Sequence, residues 1–542
     1  MLGLMQDTPL TTNWIFDRGA QYFGTREVIT QTAAGVQRST FGEVAAQTRK
    51  VAAAIDSLGI SPDGRIGTFG WNTARHLGLY FAIPGTGRVM HTINIRYFPE
   101  QLVYTVNHAE DEAVFVDRSL LPLFEQHLPG LTNVQHVIVM DDGATAPLPT
   151  DPRVIRYEDL LSGVDETDFS GRVVDERQAA AICYTTGTTG NPKGVLYSHR
   201  STWLHSLASM TTPVFNLRDS DRILPVVPMF HANAWGLPYT AFMAGAALIM
   251  PGPDLSPKSL VALMASEKVT IAAGVPTIWM GMVPLLEERD LSSLRTIICG
   301  GSAVPKALSE AWREKIGVPI TQAWGMTELS PLGSVCQLRS EFDDLSEDAK
   351  ADVRATGGMA PPGVELRIVD SETRAPLPWD DAASGELECR GPWIASQYFR
   401  TDEPGENFSP DGWLRTGDIA SISELGYLRL VDRTKDLVKS GGEWISSVDL
   451  ENAIMAHPKV AEAAVIAIAH PKWSERPMAC VVVRDGETLS REEVLDFLRE
   501  RMTSWQLPDD VVFIDEVPKT SVGKFSKKTL RDRFADHVLP TV

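Results

Sequence analysis

Cysteine is scarce: five in 542 residues, at Cys183, Cys299, Cys336, Cys389 and Cys480, and no two form a C-x-x-C pair. That excludes a disulfide framework or a zinc cluster and suits reduced thiols in a cytoplasmic protein. Long apolar runs are missing as well. The most apolar stretch, Ala241 to Met250, is half of the roughly 20 residues that span a bilayer, so no integral membrane segment is expected. The first residues, MLGLMQDTPLTTNW, lack the basic and apolar regions of a secretory leader. Positive charge is also short. Fifty Lys and Arg against seventy Asp and Glu leave a net charge of −20, which repels nucleic acid and anionic lipid at long range. An anionic ligand must therefore be held by local groups. The late basic cluster, Lys519, Lys524, Lys527, Lys528, Arg531 and Arg533, reads by default as a solvated helix face. Internal repeats and low-complexity tracts are absent.

What is present is an ordinary globular balance, 43% hydrophobic and 22% charged, enough to build a large core. From Thr40 to Gly59 apolar residues recur at helical spacing behind a Thr40/Glu43 capping box, with Gly59 as the stop. A strand from Arg65 to Trp71, a helix over HLGLYFAIPGTG and a strand over VMHTINI follow. The alternation continues to Cys299 and predicts an α/β class with mainly parallel sheets. The acidic stretch before Arg354 reads as an exposed helix or loop. After Gly357 the texture changes to short strands, VELRIVDSE, SGELECRGP and GYLRLVDR, a β-rich subdomain over about 356–431. The last hundred or so residues read as a small α+β unit, with strands in VAEAAVIAIAH, MACVVVR and DVVFIDEVP and a helix behind Ser490 and Glu493.

The chemistry concentrates in Tyr184 to Gly194, YTTGTTGNPKG, directly after the strand-like AAAICY. Thr185, Thr186, Gly187, Thr188, Thr189 and Gly190 offer backbone N–H groups and hydroxyls to a polyphosphate, and Lys193 adds a positive charge. The spacing is not that of a Walker A loop. This run resembles the signature loop of the adenylate-forming superfamily of acyl-CoA synthetases, luciferases and peptide-synthetase adenylation domains. Further motifs of that superfamily follow in order: GGSAVP from Gly300, AWGMTE from Ala323, DGWLRTGDIA from Asp411, DRTKDLVKSGGEWISSVDLE from Asp432 and PKTSVGKFSKK from Pro518. Together they span nearly the whole chain. They most resemble medium- and long-chain fatty acyl-CoA synthetases and the related methylmercaptopropionate-CoA ligases.

The resemblance implies a large N-terminal domain over 1–431, a hinge at 432–437 and a mobile C-terminal domain over 438–542. It implies ATP, Mg²⁺ and coenzyme A acting with a carboxylic acid, in two half-reactions separated by a domain rotation. Lys524 would pair with the carboxylate and α-phosphate, and Glu328 with Thr185 would hold the metal. Gly301, Ser302 and Ala303 would approach adenine. The segment Ala323, Trp324, Gly325, Met326 and Thr327 would line its other side, with Trp324 stacking where the family often has tyrosine. Asp418 and Arg433 would take ribose or phosphate, with Lys435 at the hinge. Lys439 and Trp444 would be further nucleotide contacts, Trp444 otherwise serving as domain core. Gly441 and Gly442 would meet the pantetheine arm of CoA. His231 and Trp235, four apart and so on one face if helical, would form the acyl pocket, with His231 also near the nucleotide and Trp235 gating the tunnel. His199 and Cys183 read as structural. Family members include homodimers, and no nucleic-acid partner is implied.

Overall fold

A computed structural model describes residues 1, 3–185, 191–441, 443–520 and 525–541. Two large, mostly parallel sheets form its bulk. In the eight-stranded sheet the order runs Leu332–Val335, Ile320–Gly325, Thr296–Cys299, Ile271–Gly274, Arg222–Pro225, Ala247–Met250, Glu27–Thr32 and Gly35–Thr40. Only the outermost pair at each edge is antiparallel. The seven-stranded sheet runs Val154–Arg156, His136–Met140, Asp111–Asp117, Arg65–Phe69, Val89–Thr92, Ala179–Tyr184 and Gly194–Ser198, parallel until its last, antiparallel pair. Strands such as Val89–Thr92 and Ala247–Met250 are buried along their whole length, as parallel strands covered on both faces must be.

The helix over Phe41–Ser57 starts on the expected capping box. The Thr40 hydroxyl accepts from the Glu43 amide at 3.2 Å, and the Glu43 carboxylate accepts from the Thr40 amide at 2.8 Å. Gly59 follows the helix at φ 71°, the left-handed conformation that ends it. The strand expected to reach Trp71 stops at Phe69, because the chain turns there: the Trp71 amide donates to the buried Asp117 carboxylate at 2.7 Å. The acidic segment forms a helix over Glu347–Arg354.

The β-rich region is a four-stranded antiparallel sheet, Glu365–Val369, Gly385–Arg390, Leu414–Ile422 and Leu428–Arg433. Three of its strands match the short runs read from the sequence. The longest, Leu414–Ile422, lies inside the motif DGWLRTGDIA, where chemistry rather than alternation catches the eye. A five-stranded sheet follows. It is built around the hairpin Val460–His470 and Ser474–Val483, flanked by Val438–Ser440 with Glu443–Ile445 and by Asp510–Phe513. Its helix Arg491–Arg499 carries the Ser490/Glu493 capping box. All five cysteines are free and buried. Among the described residues no helix is long and apolar enough to cross a membrane.

Candidate active site

In open parallel sheets the ends of the strands leave a crevice, and ligands bind beyond their carboxyl ends. A cavity of about 270 Å³ lies there. Val227, Pro228, Val275, Gly300 and Gly301 line it from segments that follow three strands of the eight-stranded sheet, and Ala323 to Glu328 line it from the fourth. Thr185, Asn191 and Lys193 enter from the last hairpin of the seven-stranded sheet. Tyr398, Asn407 and Arg433 enter from the β-rich region. Three sheets therefore meet at one site.

Small residues are needed where these walls close. A Cβ on Gly300 would lie 2.9 Å from the Ala323 carbonyl and 3.3 Å from the Trp235 ring. On Gly325 it would lie 1.8 Å from the Pro331 carbonyl, so no larger side chain fits without moving backbone.

At the aromatic end the Trp324 indole N–H donates to Asp418 Oδ2 at 2.9 Å, and Arg433 Nε pairs with Asp418 Oδ1 at 3.2 Å. Both oxygens of this buried carboxylate are thus occupied, and the three groups expected around a nucleoside form one unit.

Glu328 sits on the 3₁₀ turn Thr327–Leu329 and is buried, with 5% of its surface exposed. Burial pushes its carboxyl above the usual range, and the Tyr398 hydroxyl, donating to Oε1 at 2.7 Å, opposes that shift. The same Tyr398 ring lies 4.6 Å beneath the Lys193 ammonium, which also reaches Asn407 Oδ1 at 3.3 Å. Tyr398 therefore bridges the two charges, a role no motif announced. Thr185 and Lys193 close the base of the hairpin loop: Thr185 N donates to Lys193 O at 2.9 Å, and Lys193 N donates to Thr185 Oγ1 at 3.2 Å. Among the described residues no group of three or more His, Cys, Asp or Glu could hold a metal. One buried carboxylate beside a hydroxyl still fits Mg²⁺, which keeps several waters and takes one or two carboxylates together with substrate phosphates.

The cavity is also lined by Phe215, Val227, Pro228, Val275, His205, His231 and Trp235. Burial holds the His205 imidazole down to about 4, so it is neutral. His231 and Trp235 do line one cavity, but not as one face of a right-handed helix. Ala232, Asn233, Ala234 and Trp235 all have positive φ, so the stretch is a left-handed turn. Such a conformation costs L-residues roughly 1–2 kcal/mol each.

Several expected groups lie elsewhere. Ser302, Ala303, Lys435, Lys439, Gly441 and Trp444 do not line the cavity. Trp444 is 51% exposed, with the Lys439 ammonium 5.0 Å above its ring, so it is not domain core. A Cβ on Gly441 would lie 2.7 Å from the Trp473 ring. Thr186, Gly187, Thr188, Thr189, Gly190, Gly442 and Lys524 lie outside the described residues. His199 is buried and accepts from the Thr12 amide at 3.2 Å, and Cys183 is buried with its pKa pushed up to about 11, as structural groups would be.

The model of the AMP-binding enzyme family matches residues 16–399, and that of the AMP-binding enzyme C-terminal domain matches 449–524. The chain belongs to the AMP-binding enzyme family. This AMP-binding enzyme is 45% identical over 539 residues to the 3-methylmercaptopropionyl-CoA ligase of Ruegeria lacuscaerulensis, covering 99% of both chains. It is 46% identical over 538 residues to the long-chain-fatty-acid–CoA ligase of Thermus thermophilus, covering 98% of this chain and 97% of that one. Its fold superimposes on a crystal structure of an anthranilate CoA ligase in complex with anthranoyl-AMP, with a TM-score of 0.87 and 25% identity over 98% of this chain and all of the other. The C-terminal match ends on Lys524.

Proposed function

We propose that this AMP-binding enzyme is an ATP-dependent carboxylic acid:CoA ligase. It forms acyl-AMP and pyrophosphate, then acyl-CoA and AMP. The observation that carries the reading is the single cavity in which Thr185, Lys193 and Glu328 face Trp324, Arg433 and an apolar pocket. Full-length similarity to CoA ligases of two acid classes supports it.

In this reading the acid lies in the pocket beside Trp235 and His231, its carboxylate toward the nucleotide. Trp324, with Gly301, Ser302, Ala303 and the Ala323–Thr327 segment, holds adenine, and Asp418 with Arg433 holds ribose. Thr185 to Gly190 and Lys193 cradle the polyphosphate, and Lys524 steadies the α-phosphate and carboxylate during attack. Glu328 and Thr185 would hold Mg²⁺, which supplies charge neutralisation on the phosphates. The domain over 438–542 then turns about 432–437 with Lys435 at the pivot, and Gly441 and Gly442 meet CoA. Lys439 and Trp444 serve the nucleotide in one of these orientations. Free, buried thiols fit a cytoplasmic setting, and a homodimer is the proposed assembly.

Medium- to long-chain fatty acids are the favoured substrates. A second reading, a short thioether acid such as 3-methylmercaptopropionate, is favoured by the bulk of Trp235, which lines the cavity close to Gly300. CoA-dependent AMP release across saturated acids of three to eighteen carbons, methylmercaptopropionate and an aryl acid separates the two. A maximum at eight carbons or more supports the first and a maximum at short or thioether acids the second. AMP release that ignores CoA would reject the ligase itself. Trp235→Ala should move the chain-length maximum, and an unchanged profile would return Trp235 to a purely structural role.

A further inference from the structure

Four successive non-glycine residues with positive φ are rare in any protein, and here they stand at one end of the cavity. Ala232, Asn233, Ala234 and Trp235 have φ of 43°, 52°, 50° and 57°, and Gly236 follows at 71°. Such strain persists only where the surroundings over-determine it. The hydrogen bonds within the turn, Ala234 N to His231 O and Gly236 N to Asn233 O, are too few to do so.

The anchor comes from the side chain of Asn233. Asparagine is one of the few residue types that visits this conformation readily. Its Oδ1 accepts from Thr92 Oγ1 at 3.3 Å and from Cys183 Sγ at 3.2 Å. Asn233, Thr92 and Cys183 are all buried, with 2–3% exposed, so water does not compete for these bonds. Thr92 and Cys183 lie on neighbouring parallel strands of the seven-stranded sheet, and Cys183 is two residues before Thr185. A turn that lines the crevice of one sheet is thus bolted to the other. His231 and Trp235 stand two residues to either side of the bolt, and both line the cavity.

We propose that Asn233 is a positioning residue for the acid: it locks the left-handed turn that sets His231 and Trp235, and ties that wall to the strand leading into the phosphate loop. The inference rests on the acid lying against Trp235, as proposed above. It predicts a defect confined to the acid side of the reaction.

The test compares full-length wild type with Asn233→Gly, which keeps the left-handed conformation accessible and removes the anchor. Pyrophosphate exchange would be measured against varied acid and varied ATP. The expected result is a rise of about tenfold in KM for the acid, KM for ATP within about twofold, and a flatter chain-length profile. Thr92→Val removes one of the two hydrogen bonds at constant shape, with an expected rise of about threefold in acid KM alone. It carries the test if Asn233→Gly does not fold. The double variant should be no worse than Asn233→Gly, because that change already removes the bond lost in Thr92→Val. An unchanged acid KM in both variants, an equal rise in both KM values, or multiplying effects in the double variant would overturn the role. A wild-type chain that activates none of the acids would instead overturn the reading of the site on which it rests.

Discussion

The two ends of the chain treat their chemistry in opposite ways. In the large N-terminal part most groups of the site are buried and mutually engaged, Glu328 with Tyr398 and Trp324 with Asp418, and Asp418 also pairs with the half-exposed Arg433. In the C-terminal part no described residue beyond Arg433 lines the cavity, and Trp444 is half exposed. A wall that must bind the same ligands throughout can be rigid, and pre-organised dipoles cost no rearrangement at the moment of reaction. Under the proposed cycle the C-terminal part would serve two half-reactions in turn, and such a part cannot be fixed in the cavity by its own packing. The contrast predicts that N-terminal lesions damage binding and both half-reactions, while C-terminal lesions separate them.

The sharpest separation is expected at Lys524. Lys524→Ala should cut acyl-AMP formation by roughly 10²–10³-fold, the scale of losing one charge-stabilising donor. Thiolation of supplied acyl-AMP should stay near wild type. Equal loss of both half-reactions would erase the contrast at its strongest point.

Glu328→Gln comes next, with an expected fall of about 10²-fold in acyl-AMP formation. Its pH dependence sharpens the case. A carboxyl must be ionised to hold a cation, and burial favours the neutral form. The acid limb of kcat/KM should therefore lie above the ordinary glutamate value of 4.5. The Tyr398 hydrogen bond favours the ionised form, so Tyr398→Phe should move that limb to still higher pH. A limb that stays in place would show that Glu328 is not the group being titrated.

Glu328 also marks the limit of what the sequence discloses. The family resemblance pointed to Thr185, Lys193, Trp324, Glu328 and Arg433, and these line one cavity. Periodicity and capping boxes pointed to elements such as the helices Phe41–Ser57 and Arg491–Arg499 and the strands Val460–His470 and Ser474–Val483, because both signals are local. The partners that tune those groups were hidden. Tyr398 is 70 residues from Glu328 and Asn407 is 214 residues from Lys193, and no local pattern links them. The left-handed turn at 232–235 was hidden for a related reason. His-Ala-Asn-Ala-Trp shows no glycine or proline to mark a left-handed turn, and the bonds that Asn233 accepts there come from Thr92 and Cys183, distant in sequence.

Fastening inside the C-terminal part is the third point of comparison. Lys527, three residues beyond Lys524, places its ammonium 2.9 Å from Glu451, with both side chains about nine-tenths buried. Lys527→Met should destabilise the protein by about 3 kcal/mol, because it leaves a carboxylate buried without its partner. Glu451→Leu added to it should recover most of that loss, since an apolar pair no longer buries an unmatched charge. Thermal unfolding reads both. If the double variant were no better than the single, Lys527 would act through more than this pair, for example through Ser447 and Asp432, to which it is also linked.

Trp444 carries the smallest expected effect and the finest distinction. An exposed ring that touches neither the cavity nor a core should change stability by less than about 0.5 kcal/mol when removed. Trp444→Ala should therefore leave acyl-AMP formation within about twofold of wild type. The informative measurement is thiolation of supplied acyl-AMP at limiting CoA. If that too is unchanged, the ring serves neither half-reaction and the nucleotide contact assigned to it falls. If it drops while acyl-AMP formation holds, Trp444 acts only once the C-terminal part has turned, and its exposure in this orientation is what permits that use.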